Sequence, residues 1–202
     1  MAPPDEQTSR ALRLLALLCV LALGGYLRLT TMAQVEDLRP WPDALEYEEA
    51  ARSLHEGRGY LLWIAGDAYP PRYPPGLSLL IAAALPLAGT QLGAGIWVVL
   101  ASALAAIGGT YALARAASGF AAGIVAALLV ATSPLHVQWS RAVMSDVPAS
   151  AAVAWLALWL LAALRRRAGA GELFALGIAC GAAASIRQAV LALGARGRSG
   201  PA

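Results

Sequence analysis

Carboxylates and arginines gather in two polar stretches of this chain, and they are the side chains through which it could act on a substrate. Residues 36–67 hold eight of the twelve carboxylates: Glu36, Asp37, Asp43, Glu46, Glu48, Glu49, Glu56 and Asp67. A carboxylate in such a cluster could serve as a general base. Asp43 follows Pro42 and stands three residues before Glu46, a spacing that equally reads as a helix N-cap with its capping box. The two roles are compatible, because a cap engages one oxygen and leaves the other free. Arg72, inside YPPRYPPG, is a guanidinium on a stiff backbone that could grip a phosphate through two parallel hydrogen bonds or simply touch lipid headgroups.

The second stretch, SPLHVQWSRAVMSDVP, carries Arg141 and Asp146 at the start of an apolar run, where charges serve either as solvated boundary markers or as functional groups. Arg187 falls near the end of the last apolar run. A charge there marks a functional position unless it snorkels to the nearby interface. His55 and His136 are the only histidines, and neither has a second histidine at ligand spacing, so no metal site is read from them. Cys19 and Cys180 each stand alone within apolar runs, which fits small apolar fillers.

The elements that must position these groups are membrane helices. The chain has 202 residues, 59% hydrophobic and 13% charged, against about 25% charged in soluble domains. It reads as an integral membrane protein. All fifteen basic residues are arginine, and they sit at segment ends instead of in a stripe with interleaved aromatics, which excludes a nucleic-acid partner and marks them as topology signals.

A hydrocarbon core of about 30 Å needs about 20 helical residues. Residues 12–29, 95–114, 120–139, 147–164 and 173–193 meet or approach that length, whereas 77–88 is short and is placed at the interface. No small-residue cleavage pattern follows the first run, so it reads as a signal anchor that is retained. This count puts Arg10, Arg13, Arg115, Arg165, Arg166 and Arg167 on one side, the cytoplasmic one by the positive-inside rule, together with the N-terminus. Loops 30–76 and 136–146 then share the outer face, and the tail 194–202 is expected to be disordered. The fold class is all-α, a polytopic helical bundle of about five spans forming one domain over residues 1–202 at the cell membrane.

Within the first loop, Tyr47, Ala50, Ala51 and Leu54 repeat at helical spacing, with Glu46, Glu48, Glu49, Arg52 and Glu56 on the other positions. An amphipathic helix lying at the interface fits this pattern, ended by Gly57 and Gly59. The prolines that follow force an extended turn. Trp41, Tyr60, Trp63, Tyr69 and Tyr73 suit the headgroup level. The pairs Gly89 with Gly93, Gly119 with Gly123 and Gly177 with Gly181 would permit close helix packing.

In order and spacing, PDALEYEEAARSLHEGRGY, YPPRYPPGLSLLIAAALPLAG and SPLHVQWSRAVMSDVPA resemble the N-terminal half of the GT-C superfamily of membrane glycosyltransferases. The branch with protein O-mannosyltransferases and the lipid A aminoarabinose transferase is the most similar, over about residues 10–190. That resemblance implies transfer of a sugar from a polyprenyl-phosphate donor to an acceptor, of unspecified identity, at the outer face. It implies Asp43 as the general base and Asp146 as a second carboxylate close to the active site. It further implies Arg72 or Arg141 against the departing phosphate; Glu46, Tyr73 and Arg187 are counted with them as candidate substrate-binding residues. Here Asp43 is followed by Ala44 where the mannosyltransferases have adjacent Asp and Glu, and Tyr73 stands where some relatives have histidine. A divalent metal ion is compatible with the family, although these residues specify none. Family members are several hundred residues long, so the chain, ending in GARGRSGPA, is read as an N-terminal portion.

Two other classes compete with this reading. A catalytically inactive membrane module could bind polyprenyl lipid or a partner subunit through its Gly-rich helices. A transporter fragment fits less well, because transporter sites place polar groups at mid-span, whereas these charges gather at span ends.

Overall fold

Backbone polar groups inside a bilayer have no water to pair with, so the long apolar runs must close their hydrogen bonds internally as helices. The computed structural model describes residues 6–33, 42–88 and 93–188. Among them, α1 (Glu6–Ala33), α2 (Pro42–His55), β1 (Leu62–Ile64), β2 (Asp67–Tyr69), α3 (Gly76–Ala88) and α4 (Gly93–Ser118) are followed by α5 (Phe120–Thr132), α6 (Pro134–Trp139), α7 (Asp146–Arg166) and α8 (Ala170–Ile186). The helical membrane bundle therefore stands. Three stretches, Arg10–Met32, Gly93–Ser118 and Asp146–Arg166, are long and apolar enough to cross a membrane, while Gly76–Leu87, Phe120–Thr132 and Ala170–Ile186 are shorter.

α4 is the central post. It packs against α1 and α5 through Val20, Ile107, Tyr111, Ala127 and Ala131, and against α7 through Val99, Ala103 and Val147. Close approach of α5 depends on Gly123, where a Cβ would sit 3.0 Å from the carbonyl oxygen of Tyr111. A third apolar cluster joins α2, α3 and the start of α4 through Ala44, Tyr47, Ala51, Leu77, Ile81 and Ala94, with Val143 from the loop before α7.

Several expectations change. The helix expected over 120–139 is broken at Ser133, because Pro134 opens α6 and has no N–H to donate to Val130 four residues back. The run expected over 173–193 begins earlier, at Ala170, and its helix ends at Ile186; Arg187 follows in an extended conformation (φ −151°, ψ 121°) and so lies past the helix end. Asp43 is not the N-cap of α2. Pro42 takes the first helical position and Asp43 sits in the first turn, where a negative charge suits the helix dipole.

The helix α2 is less one-sided than its periodicity suggests. Its apolar face is covered by α3, and Glu46 and Glu48, placed on the polar side by sequence, are only 8% and 7% exposed. It stops as expected: Arg58 N–H donates to Ser53 O and Gly57 N–H to Leu54 O, with Gly57 at φ 74°, a Schellman closure. Within the stretch expected to be loop, β1 and β2 form a hairpin. Its pairing of Leu62 with Tyr69 and Ile64 with Asp67 is closed by Ala65 and Gly66, both at positive φ, the geometry of a two-residue type I′ turn. Gly177 and Gly181 meet nothing within 4 Å, so that pair makes no close helix contact among the described residues. Glu36, Asp37, Trp41, Gly89 and the tail 194–202 lie outside the described residues.

Candidate functional site

α2 presents Asp43, Glu46 and Tyr47 on successive turns toward the proline-rich turn that carries Arg72 and Tyr73. Glu46 receives the backbone N–H of Arg72 on one oxygen and its Nε, at 2.8 Å, on the other. Arg72 Nη2 also lies 3.8 Å from Asp43 Oδ1. Glu46 is thus consumed in holding Arg72, whose side chain remains 68% exposed. The carboxylate hydrogen bond and nearby charge of Glu46 hold the guanidinium above its usual pKa, so it is a permanent cation with its outer edge open to a ligand. Tyr73 is anchored on both sides: its carbonyl accepts from Tyr60 Oη at 2.7 Å, and its ring stacks on Tyr47 with centroids 5.0 Å apart.

The second polar stretch arrives at the same place. Asp146, in the first turn of α7, pairs with Arg187 Nη1 at 2.5 Å. What brings Arg187 there is the crossing of α3 and α8 at Gly76, where a Cβ would lie 2.6 Å from the backbone nitrogen of Ile186. Only glycine fits that crossing. Tyr47 joins the two halves. Its hydroxyl has its pKa raised chiefly by burial and is influenced by Ser145, Asp43, Arg187 and Asp146. Tyr73 is likewise raised, first by hydrogen bonding to Asp43, then by burial and the charge of Asp43. Both phenols stay neutral donors at physiological pH.

Of the residues singled out by sequence, Asp43, Glu46, Arg72, Tyr73, Asp146 and Arg187 thus converge around Tyr47. Arg141 does not. It sits exposed in the turn after α6, its N–H bonded to Gln138 O, and its guanidinium makes no ion pair with a described residue. Among the described residues no three His, Cys, Asp or Glu side chains are grouped so as to hold a metal ion.

Tyr47, Glu48 and Arg28 join the site without standing out in the sequence. Tyr47 reads there only as an apolar position of α2. Glu48 recurs with Ala44 and Ala51 at helical spacing, a signal for burial that its charge obscured. It packs where a Cβ on Gly95 would lie 2.9 Å from its Oε1, and burial, opposed weakly by Arg52, raises its pKa to about 7.

Arg28, fully buried in α1, props the broken end of α5. Its Nη1 donates to Gly24 O at 2.7 Å and Ala131 O at 3.1 Å, and its Nη2 to Val130 O at 3.3 Å, the carbonyl that Pro134 leaves unpaired. Its Nε donates to Ser140 Oγ at 3.2 Å. Nη2 also lies 2.8 Å from His136 Nδ1; a guanidinium only donates, so Nδ1 accepts and the proton belongs on Nε2, facing Ser150 Oγ at 3.2 Å. The clamp fixes the segment leading from α5 into the Asp146 loop.

Beside the Asp146–Arg187 pair an apolar groove of about 590 Å³ opens between α3, α7 and α8, lined by Leu79, Leu80, Trp155, Leu156, Trp159 and Ile186 among others. The family model of dolichyl-phosphate-mannose-protein mannosyltransferases matches residues 72–196, more than half of the chain. The match takes in Arg72, Tyr73, Asp146 and Arg187 and begins after Asp43 and Glu46, which reach the matched region through Arg72. No curated protein and no solved structure matches the chain.

Proposed function

Because the chain belongs to the dolichyl-phosphate-mannose-protein mannosyltransferase family, membrane glycosyltransferases that use a lipid-linked sugar, we propose that the cluster around Tyr47 is where the sugar leaves its lipid phosphate. Arg72 carries this reading. It is a guanidinium locked by Glu46 on its backbone N–H and Nε yet open along its outer edge, a preorganised receptor for a phosphate oxygen.

In the proposed reaction Asp43 takes the proton of an acceptor hydroxyl as its oxygen attacks the anomeric carbon. The bond from that carbon to the phosphate oxygen breaks, with inversion. Negative charge develops on the departing polyprenyl phosphate and is met by Arg72. Asp43 suits the base because Glu46 is held by Arg72 and Asp146 by Arg187, while Asp43 lies 3.8 Å from Arg72 and is otherwise met by the neutral Tyr73 hydroxyl. Arg187 and Asp146 act as a positioning pair that ties α8 to α7, and the apolar groove beside them accommodates the polyprenyl chain. By the distribution of arginines this end of the bundle faces outward.

The reading is tested in membranes containing the chain, supplied with radiolabelled polyprenyl-phosphate sugar and acceptor. Asp43→Asn is expected to lower transfer by about 10²- to 10⁴-fold with unchanged thermal stability. Equal turnover in the variant would remove the assignment. Crosslinking of a photoactivatable polyprenyl phosphate into the groove of the wild-type chain, with no transfer at all, identifies a lipid-binding module instead.

A further inference from the structure

At the opposite end of α4 from the carboxylates, three guanidiniums surround one cavity. From Gly95, beside Glu48, to Arg115 the helix runs about 30 Å, the thickness of the hydrocarbon core. There a pocket of about 540 Å³ is lined by Arg10, Arg13, Leu14, Leu17, Tyr111 and Arg115. Arg10 and Arg13 are three residues apart and so lie on one side of α1, and Arg115 approaches from α4.

The arginines are oriented by aromatic rings. Arg13 lies over Phe120, 5.8 Å from its centroid. Arg115 lies 5.8 Å from the centroid of Tyr111 and donates from Nη1 to its hydroxyl at 3.3 Å. Neither Arg13 nor Arg115 has a carboxylate partner among the described residues. Arg115 is in the last turn of α4, where a cation could serve merely to offset the helix dipole. That duty falls to Arg165 instead, whose Nη1 donates to Ala116 O at 2.6 Å, while Arg115 turns into the pocket.

Arg13 and Arg115 both line this cavity; their like charges repel, and an anion between them removes that repulsion. Leu14, 58% exposed, and Leu17 continue the pocket along α1 as an apolar wall. Guanidiniums opening onto an apolar wall of exposed Leu14 and half-buried Leu17 match an amphiphile, a phosphate joined to acyl chains. We propose that this pocket binds the phosphate of an anionic phospholipid, in the leaflet opposite the Tyr47 cluster. This rests on no part of the glycosyl-transfer reading.

The whole chain, purified in mild detergent, is exposed to phosphatidylglycerol or phosphatidylcholine with identical acyl chains, and retained lipid is counted by native mass spectrometry. The wild type is expected to prefer phosphatidylglycerol. Arg115→Gln should lower that preference about fivefold and Arg13→Gln with Arg115→Gln about thirtyfold. A wild type with no preference, which needs no variant to fold, overturns the proposal, as does a folded single variant that retains the full preference. Inorganic phosphate that displaces the lipid at equal concentration also overturns it, showing a site for the free anion; lipid that persists in its presence supports it.

Discussion

Glu46 grips Arg72 from two directions, through its backbone N–H and through Nε at 2.8 Å, although 26 residues separate them. The buried carboxylate thereby fixes both the turn and the guanidinium that the turn displays. Glu46→Gln preserves the shape but loses the charge on one partner. Solvent screens the exposed guanidinium, so unfolding in detergent should register only a small loss. In the transfer assay, a higher KM for the polyprenyl-phosphate sugar is expected to exceed any fall in kcat.

Asp146 and Arg187 pair at 2.5 Å with side chains 33% and 42% exposed, so solvent screens the attraction and its contribution is modest. A double-mutant cycle with Asp146→Asn and Arg187→Gln should return a coupling of about 1 kcal/mol. A coupling of zero would mean that the Gly76 crossing alone docks α8.

Arg28→Met should be the most destabilising of these changes. It strips donors from the buried Ala131 O, the part-buried Val130 O and Ser140 Oγ, which keeps its own bond to His136 O, and a buried acceptor left unsatisfied costs about 1–3 kcal/mol. A loss of about 3 kcal/mol or more is expected in thermal or SDS unfolding. A stability within error of wild type would show that water replaces the guanidinium.

Glu48 gives a pH dependence of definite sign. Its folded pKa, about 7, lies above the ordinary 4.5, so the folded state binds its proton more tightly. The associated stabilisation is complete below about pH 4.5 and is lost as pH rises through 7, on the order of 3 kcal/mol in all. Glu48→Gln should therefore gain Tm relative to wild type at pH 8 and lose that advantage at pH 5.

The membrane-helical class, the two polar stretches and most of the helix stops are legible in the residues themselves. Each of these is local: composition chooses the solvent, periodicity the helix, and Pro134 or Gly57 its end. Even the missed hairpin was local, hidden because Ala65 stands where an asparagine or glycine would have announced the turn.

Tertiary structure alone decided the pairings. Nothing in the chain near Arg28 tells that Pro134, more than a hundred residues later, leaves Val130 O for it to satisfy. Nothing near Arg187 names Asp146 over the other acids, because that choice depends on how closely α3 and α8 can cross at Gly76. Arg141 has the same side chain as Arg72 but stands exposed in the turn after α6, since a charge has a role only where packing aims it. Side-chain type states what chemistry is available; which groups meet is settled by the sterics of helix packing, which no run of neighbouring residues encodes.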